Sequence, residues 1–142
     1  MPIGRALTAT AKTVSRAFND ALAEAGGSLS TWLILLSLKT QRPGNQRELA
    51  RAVGIEGATL THHLNAMELD GLLTRRRDPD NRRIHQVELT DRGEALFHKL
   101  AAAAQVHDRR LRAGFGEDEI AQLASLLHRL AGNVSDDSVG QP

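Results

Sequence analysis

Apolar residues along the first 25 positions recur at Ile3, Leu7, Val14, Phe18 and Leu22, with Ala11 and Ala21 in the same stripe or at its margin. Spacings of three, four and seven place them on one face of an amphipathic helix over 3–25, which Gly26-Gly27 stops. Ser30 reads as the N-cap of a second helix, 31–40, apolar on most sides and therefore buried. After the break at Arg42-Pro43-Gly44, Asn45-Gln46-Arg47-Glu48 is a capping-box variant, with Asn45 as N-cap and Glu48 at the third helical position. It opens a helix over 46–53 whose inward residues are Leu49, Ala50 and Val53. Gly54 ends that helix, and another runs over 57–70 to Gly71. Two short helices joined by a Gly-containing turn form a helix-turn-helix pattern.

The period then changes. Segments 72–77 and 85–89 read as strands, the second alternating with period two. Between them, Asp78-Pro79-Asp80-Asn81-Arg82-Arg83 is a charged, turn-rich loop longer than a tight hairpin requires. Thr90 caps a long helix to about residue 113, with Phe97, Leu100, Ala104, Leu111 and Phe115 on one side. Gly114 and Gly116 break it. Glu117, Asp118 and Glu119 crowd the first turn of a last helix, where negative charge suits the positive end of the helix dipole. Ile120, Leu123, Leu127, Leu130 and Val134 form its stripe. The polar segment 135–142 is expected to be disordered.

The length of 142 residues fits one domain, expected over 1–134, and is enough to bury a core without staples. The chain has no Cys, which removes disulfides, thiolate metal sites and thiol nucleophiles together. With three Phe, one Trp and no Tyr, a stacking platform for single-stranded bases is not expected. A net charge of +1 makes any electrostatic function local. The longest apolar run, Trp32 to Leu36, is far short of the ~20 residues of a membrane span, and Arg5 and Lys12 interrupt what would be a signal-peptide core. A soluble, cytoplasmic protein that uses no membrane and no cofactor is expected.

On a helical wheel, Leu60, Leu64 and Met67 share one face of the 57–70 helix. The opposite face carries Ala58, Thr61, His62 and Asn65, small or hydrogen-bonding residues where a helix built for solubility more often shows Glu and Lys. Such residues can meet base edges or phosphates in a major groove, and Ala leaves room for close approach. The bland alternative is a polar solvent face. The adjoining segment 75–83 carries five Arg (Arg75, Arg76, Arg77, Arg82 and Arg83) against two Asp, a local +3. Arginine's flat fork suits a narrow minor groove or a phosphate clamp. A groove-reading helix followed by a basic hairpin tip reads as a winged helix-turn-helix over 30–89. Helices 3–25 and 91–134 flank it, giving a mainly α fold with a small β-hairpin wing.

No G-x-S-x-G, P-loop, G-x-G-x-x-G or H-E-x-x-H motif is present, so an enzyme is not expected. Arginines flanking Asp78-Pro79-Asp80 would compete with a metal there. The adjacent His62 and His63 cannot chelate from one helix face, and His98 and His107 diverge around their helix. No metal site is assigned within one chain; a site across a dimer, with His128 or an acidic residue, is the metal-responsive alternative.

The ordered set Glu48-Leu49-Ala50, Leu60-Thr61, Gly71-Leu72, Asp78-Pro79-Asp80-Asn81-Arg82-Arg83 and Leu89-Thr90-Asp91-Arg92-Gly93 resembles the MarR family of bacterial and archaeal transcription regulators, over essentially the whole chain. The resemblance implies a mostly helical homodimer in which the first and last two helices interlock across a two-fold axis. It implies that Thr61 and His62 reach into the major groove of double-stranded DNA, that Arg83 enters the minor groove, and that Arg75 anchors the wing or a phosphate. It also implies a cleft for a small aromatic or anionic effector, with Trp32 in position to line it. Asn81 stands where the family commonly has Asp, and an amide there can hydrogen-bond but cannot form a salt bridge. The terminal helices independently carry more apolar residues than a winged-helix core can cover, and a dimer would set two recognition helices roughly 34–36 Å apart on a pseudo-palindromic operator. The expected function is a homodimeric repressor, binding DNA through Ala58, Thr61, His62, Asn65, Arg75, Arg77, Arg82 and Arg83 and released by a small molecule. The alternative outside this class is a dimeric winged-helix interaction module that has lost operator binding.

Overall fold

Among the described residues the elements run in the order α1 (Ile3–Glu24), α2 (Leu29–Thr40), α3 (Gln46–Val53), α4 (Gly57–Leu69), β1 (Leu73–Arg77), β2 (His85–Leu89), α5 (Asp91–Arg112) and α6 (Glu117–Val134). The computed structural model describes residues 1–41, 43, 45–77, 79–80 and 85–135. Asn81, Arg82 and Arg83, which the sequence assigns to the loop between the strands, and the tail beyond Ser135 lie outside the described residues.

The hydrophobic periods place these elements to within a residue or two. The cap of α2 is a correction: Ser28, not Ser30, sits outside the helix in an extended conformation, and its Oγ accepts the N–H of Thr31 at 3.2 Å. That bond meets one of the unpaired N–H groups of the first turn, and Ser30 is already helical. Asn45 caps α3 by accepting the Glu48 N–H at 2.9 Å. Gly54 closes α3 with φ +81°, a left-handed conformation that glycine adopts without steric penalty.

One core serves α1 to α5. It contains Leu22 of α1, Trp32, Ile34 and Leu35 of α2, Leu49 and Ala50 of α3, Leu60, Leu64 and Met67 of α4, Leu72 and Leu73 at the start of the hairpin, and Leu100 of α5. Each fully buried leucine here contributes about 1.5–3 kcal/mol relative to exposure. The hairpin is antiparallel, with Leu73 opposite Leu89, Arg75 opposite Val87 and Arg77 opposite His85. It is fastened at its base by Thr90, whose hydroxyl donates to the Gly71 carbonyl at 2.6 Å and accepts the Gly93 N–H at 3.1 Å.

The chain divides into two units, Met1–His107 and Asp108–Pro142. Within the second unit, α6 buries none of its residues: Leu123, Leu126 and Leu127 are 48, 43 and 41% exposed. Leu111 and Phe115, in the same unit, are also exposed. Within it, Arg112 is paired to Asp108 at 2.7 Å and the Gly116 N–H donates to Glu119 Oε1 at 2.9 Å. Among the described residues no single helix is long and apolar enough to cross a membrane.

Candidate nucleic-acid interface

Burial of Leu60, Leu64 and Met67 turns the opposite face of α4 outward, so Ala58, His62 and Asn65 are exposed, while Thr61 is half-buried. The Thr61 hydroxyl is engaged twice: it donates to the Gly57 carbonyl at 2.9 Å and accepts from Gln46 Nε2 at 2.7 Å. Gln46 thus ties the first turn of α3 to α4, a role its sequence position gave no sign of. The rings of His62 and His63 meet edge to face, 5.9 Å apart.

The wing arginines have different environments. Arg75 is 15% exposed and is held by α4: its Nη2 donates to Asn65 Oδ1 and to Glu68 Oε1, the latter at 3.2 Å. Its backbone N–H donates to Glu68 Oε2 at 3.1 Å. The buried Arg75 Nε has no acceptor among the described residues. Arg76 pairs across the hairpin with Glu88 at 2.6 Å, both side chains being mostly exposed, and Arg77 is exposed. The structure therefore brings Asn65 and Arg75 together, and leaves Ala58, His62 and Arg77 facing solvent.

Trp32 is buried and stacks on Phe97, with ring centroids 5.7 Å apart. Lys39 lies over the same Phe97 ring and bonds both carboxylate oxygens of Glu94, at 3.1 and 2.8 Å. Lys39 and Glu94 also line a groove of about 360 Å³, together with Leu38, Pro43, Val87, Glu88 and Leu89. Trp32 backs this arrangement through Phe97 and is not in the groove wall. His107 is buried and stacked on Phe18 at 4.9 Å, while His98 and His128 are exposed.

A family model described as "MarR family" matches residues 28–85, from the cap of α2 to the start of β2. Among solved structures, the chain is similar to the transcriptional repressor CouR bound to a 23-mer DNA duplex, with 32% identity, a TM-score of 0.81 and 92% of each chain covered. It is similar in fold to the PcaV transcriptional regulator from Streptomyces coelicolor, with 23% identity, a TM-score of 0.83, and 94% of this chain and 97% of that one covered. It is likewise similar in fold to BpsR of Bordetella bronchiseptica, whose DNA binding is described as regulated by 6-hydroxynicotinic acid, with 21% identity, a TM-score of 0.77, and 91% and 98% covered.

Proposed function

The chain belongs to the MarR family, whose members are DNA-binding transcription regulators and not enzymes, and from that premise we propose that it is a homodimeric, sequence-specific repressor released by a small aromatic or anionic effector. The observation that carries the reading is α4. Its apolar face is locked into the core, its opposite face presents Ala58, His62 and Asn65, and a hairpin ending in basic residues is bonded to its C-terminal half. A rigid helix of this kind, with a wing at its side, suits simultaneous contact with a major groove and the neighbouring minor groove. The repressor assignment draws on CouR, the relative at 32% identity. Thr61 serves beside His62 on the groove face, and Arg77, Arg82 and Arg83 supply the wing charge.

Fluorescence anisotropy with a labelled duplex from upstream of the protein's own gene, beside a scrambled duplex and at two salt concentrations, tests this. Binding at least ~10³ tighter than to the scrambled control, weakened by salt, is expected. His62→Ala should cost about 1–3 kcal/mol on the specific duplex and little on the scrambled one. Arg83→Ala should lower the salt slope by about one on both. Equal weak binding to both duplexes would favour the interaction-module reading.

The effector reading rests on the aromatic and charged cluster around Trp32, Phe97 and Lys39, and on the aromatic acid that regulates BpsR. Ligand binding would favour a dimer whose recognition-helix separation mismatches the two half-sites. Trp32 is the only tryptophan, so intrinsic fluorescence reports on this cluster alone. Titration with hydroxylated aromatic acids should change that emission and release the duplex over the same concentration range. Release with unaltered Trp32 emission would place the effector elsewhere.

A further inference from the structure

We propose that Glu68 is a positioning residue that fixes the wing to the recognition helix, and that Arg75 acts through it and does not contact phosphate. The inference rests on the DNA-binding reading above and adds a residue to it. A two-stranded hairpin has little stability of its own and, without outside support, would swing about its base. Here the first strand is gripped along its outer side. One carboxylate, on the penultimate residue of α4, accepts the Arg75 backbone N–H at 3.1 Å with one oxygen and the Arg75 guanidinium at 3.2 Å with the other. The same Nη2 reaches Asn65, one turn earlier on α4. Backbone and side chain of one strand residue are thereby bonded to two turns of the helix, and the ionic members are stronger than neutral hydrogen bonds.

The exposure of the two partners argues for the same division of labour. Arg75 is 15% exposed, whereas Arg76 is 67% exposed and paired to Glu88 across the hairpin. With Nη2 committed to Glu68 and Asn65 and the side chain only 15% exposed, turning the guanidinium outward to a phosphate would mean leaving both. Leaving would strip β1 of its side-chain link to α4 at the moment the wing must be aimed.

The two roles predict opposite signs. Glu68→Ala removes a negative charge beside a DNA-facing helix and releases Arg75. If Arg75 were a phosphate contact, the variant would bind more tightly. If Glu68 positions the wing, the variant binds about tenfold more weakly despite its added positive charge, Arg75→Ala does the same, and the double variant is no worse than either single one. The probe is a duplex enriched by the wild-type protein from a library with a random core. At saturating protein, hydroxyl-radical cleavage reports minor-groove protection by the wing, and dimethyl sulfate reports guanine N7 protection by α4. Glu68→Ala should lose the flanking minor-groove protection and keep the central major-groove protection. Glu68→Gln, which retains one acceptor oxygen, should lose part of it.

Tighter or unchanged binding by Glu68→Ala overturns the proposal. So does joint fading of both protections in Glu68→Gln, which would mark a general folding role. A wild-type protein that enriches no sequence overturns the operator reading itself. Enrichment with an unaltered footprint in both variants overturns only the role of Glu68.

Discussion

In the proposed homodimer, replacing Leu123 and Leu127 together by Asp is expected to leave a monomer of 15.4 kDa in sedimentation equilibrium and to abolish the proposed tight operator binding. Both leucines lie one turn apart on α6, at 48 and 41% exposed, on a helix that buries none of its residues within the chain. Eighteen residues of amphipathic helix would not hold such a stripe toward water without a partner. Each leucine covered by a second copy is worth about 1.5–3 kcal/mol. Two per protomer and two protomers give roughly 6–12 kcal/mol, against about 8–12 kcal/mol for micromolar to nanomolar association. The double substitution therefore removes most of the drive to associate. Loss of the second recognition helix forfeits the gain from tethered half-sites, on the order of 10²–10⁴ in affinity. Helix content by circular dichroism should barely change, because no core residue is touched. A variant that still sediments as a dimer would show that the α6 stripe is not the association surface.

Periodicity made most of the fold legible, because apolar spacing reports directly on which face is buried. The inward sets Leu49 and Ala50 on α3, and Leu60, Leu64 and Met67 on α4, are buried as their spacing requires. What periodicity does not carry is the partner of a polar group. Ser28 and Ser30 flank Leu29 alike, and only the bond from Thr31 N–H to Ser28 Oγ shows which of them caps α2. Charge along 75–83 sums to +3 in sequence, yet Glu68 and Glu88 lie against Arg75 and Arg76 across a turn and a hairpin. Two of the five arginines in that segment are therefore already matched by carboxylates that lie outside it. Thr61 makes the same point on a smaller scale, its hydroxyl being engaged by Gly57 and Gln46 before any ligand arrives.

The other large effect lies at a glycine whose sequence context, Asp91-Arg92-Gly93-Glu94, gives no physical reason for it. Gly93 is in the first turn of α5, and a β-carbon built there would sit 2.0 Å from the Leu72 carbonyl oxygen. That oxygen also accepts the Thr90 N–H at 3.1 Å, so the start of β1 and the start of α5 are in direct backbone contact. Neither backbone can yield as a flexible side chain would. Gly93→Ala must push α5 away from the hairpin base, stretch the Thr90 bond and disturb Leu72 and Leu73, both buried. The expected cost is about 3 kcal/mol, or roughly 6–12 °C in Tm for a chain of this size. Gly132→Ala is the matched control. It lies off the α6 apolar stripe with nothing within 4 Å of the added methyl, and alanine's helix preference should raise stability by about 0.5–1 kcal/mol. Thermal unfolding of the two variants at one protomer concentration should move Tm in opposite directions. If Gly93→Ala melts within about 2 °C of the parent, α5 and the hairpin base are not packed backbone against backbone, and the wing is not anchored from below.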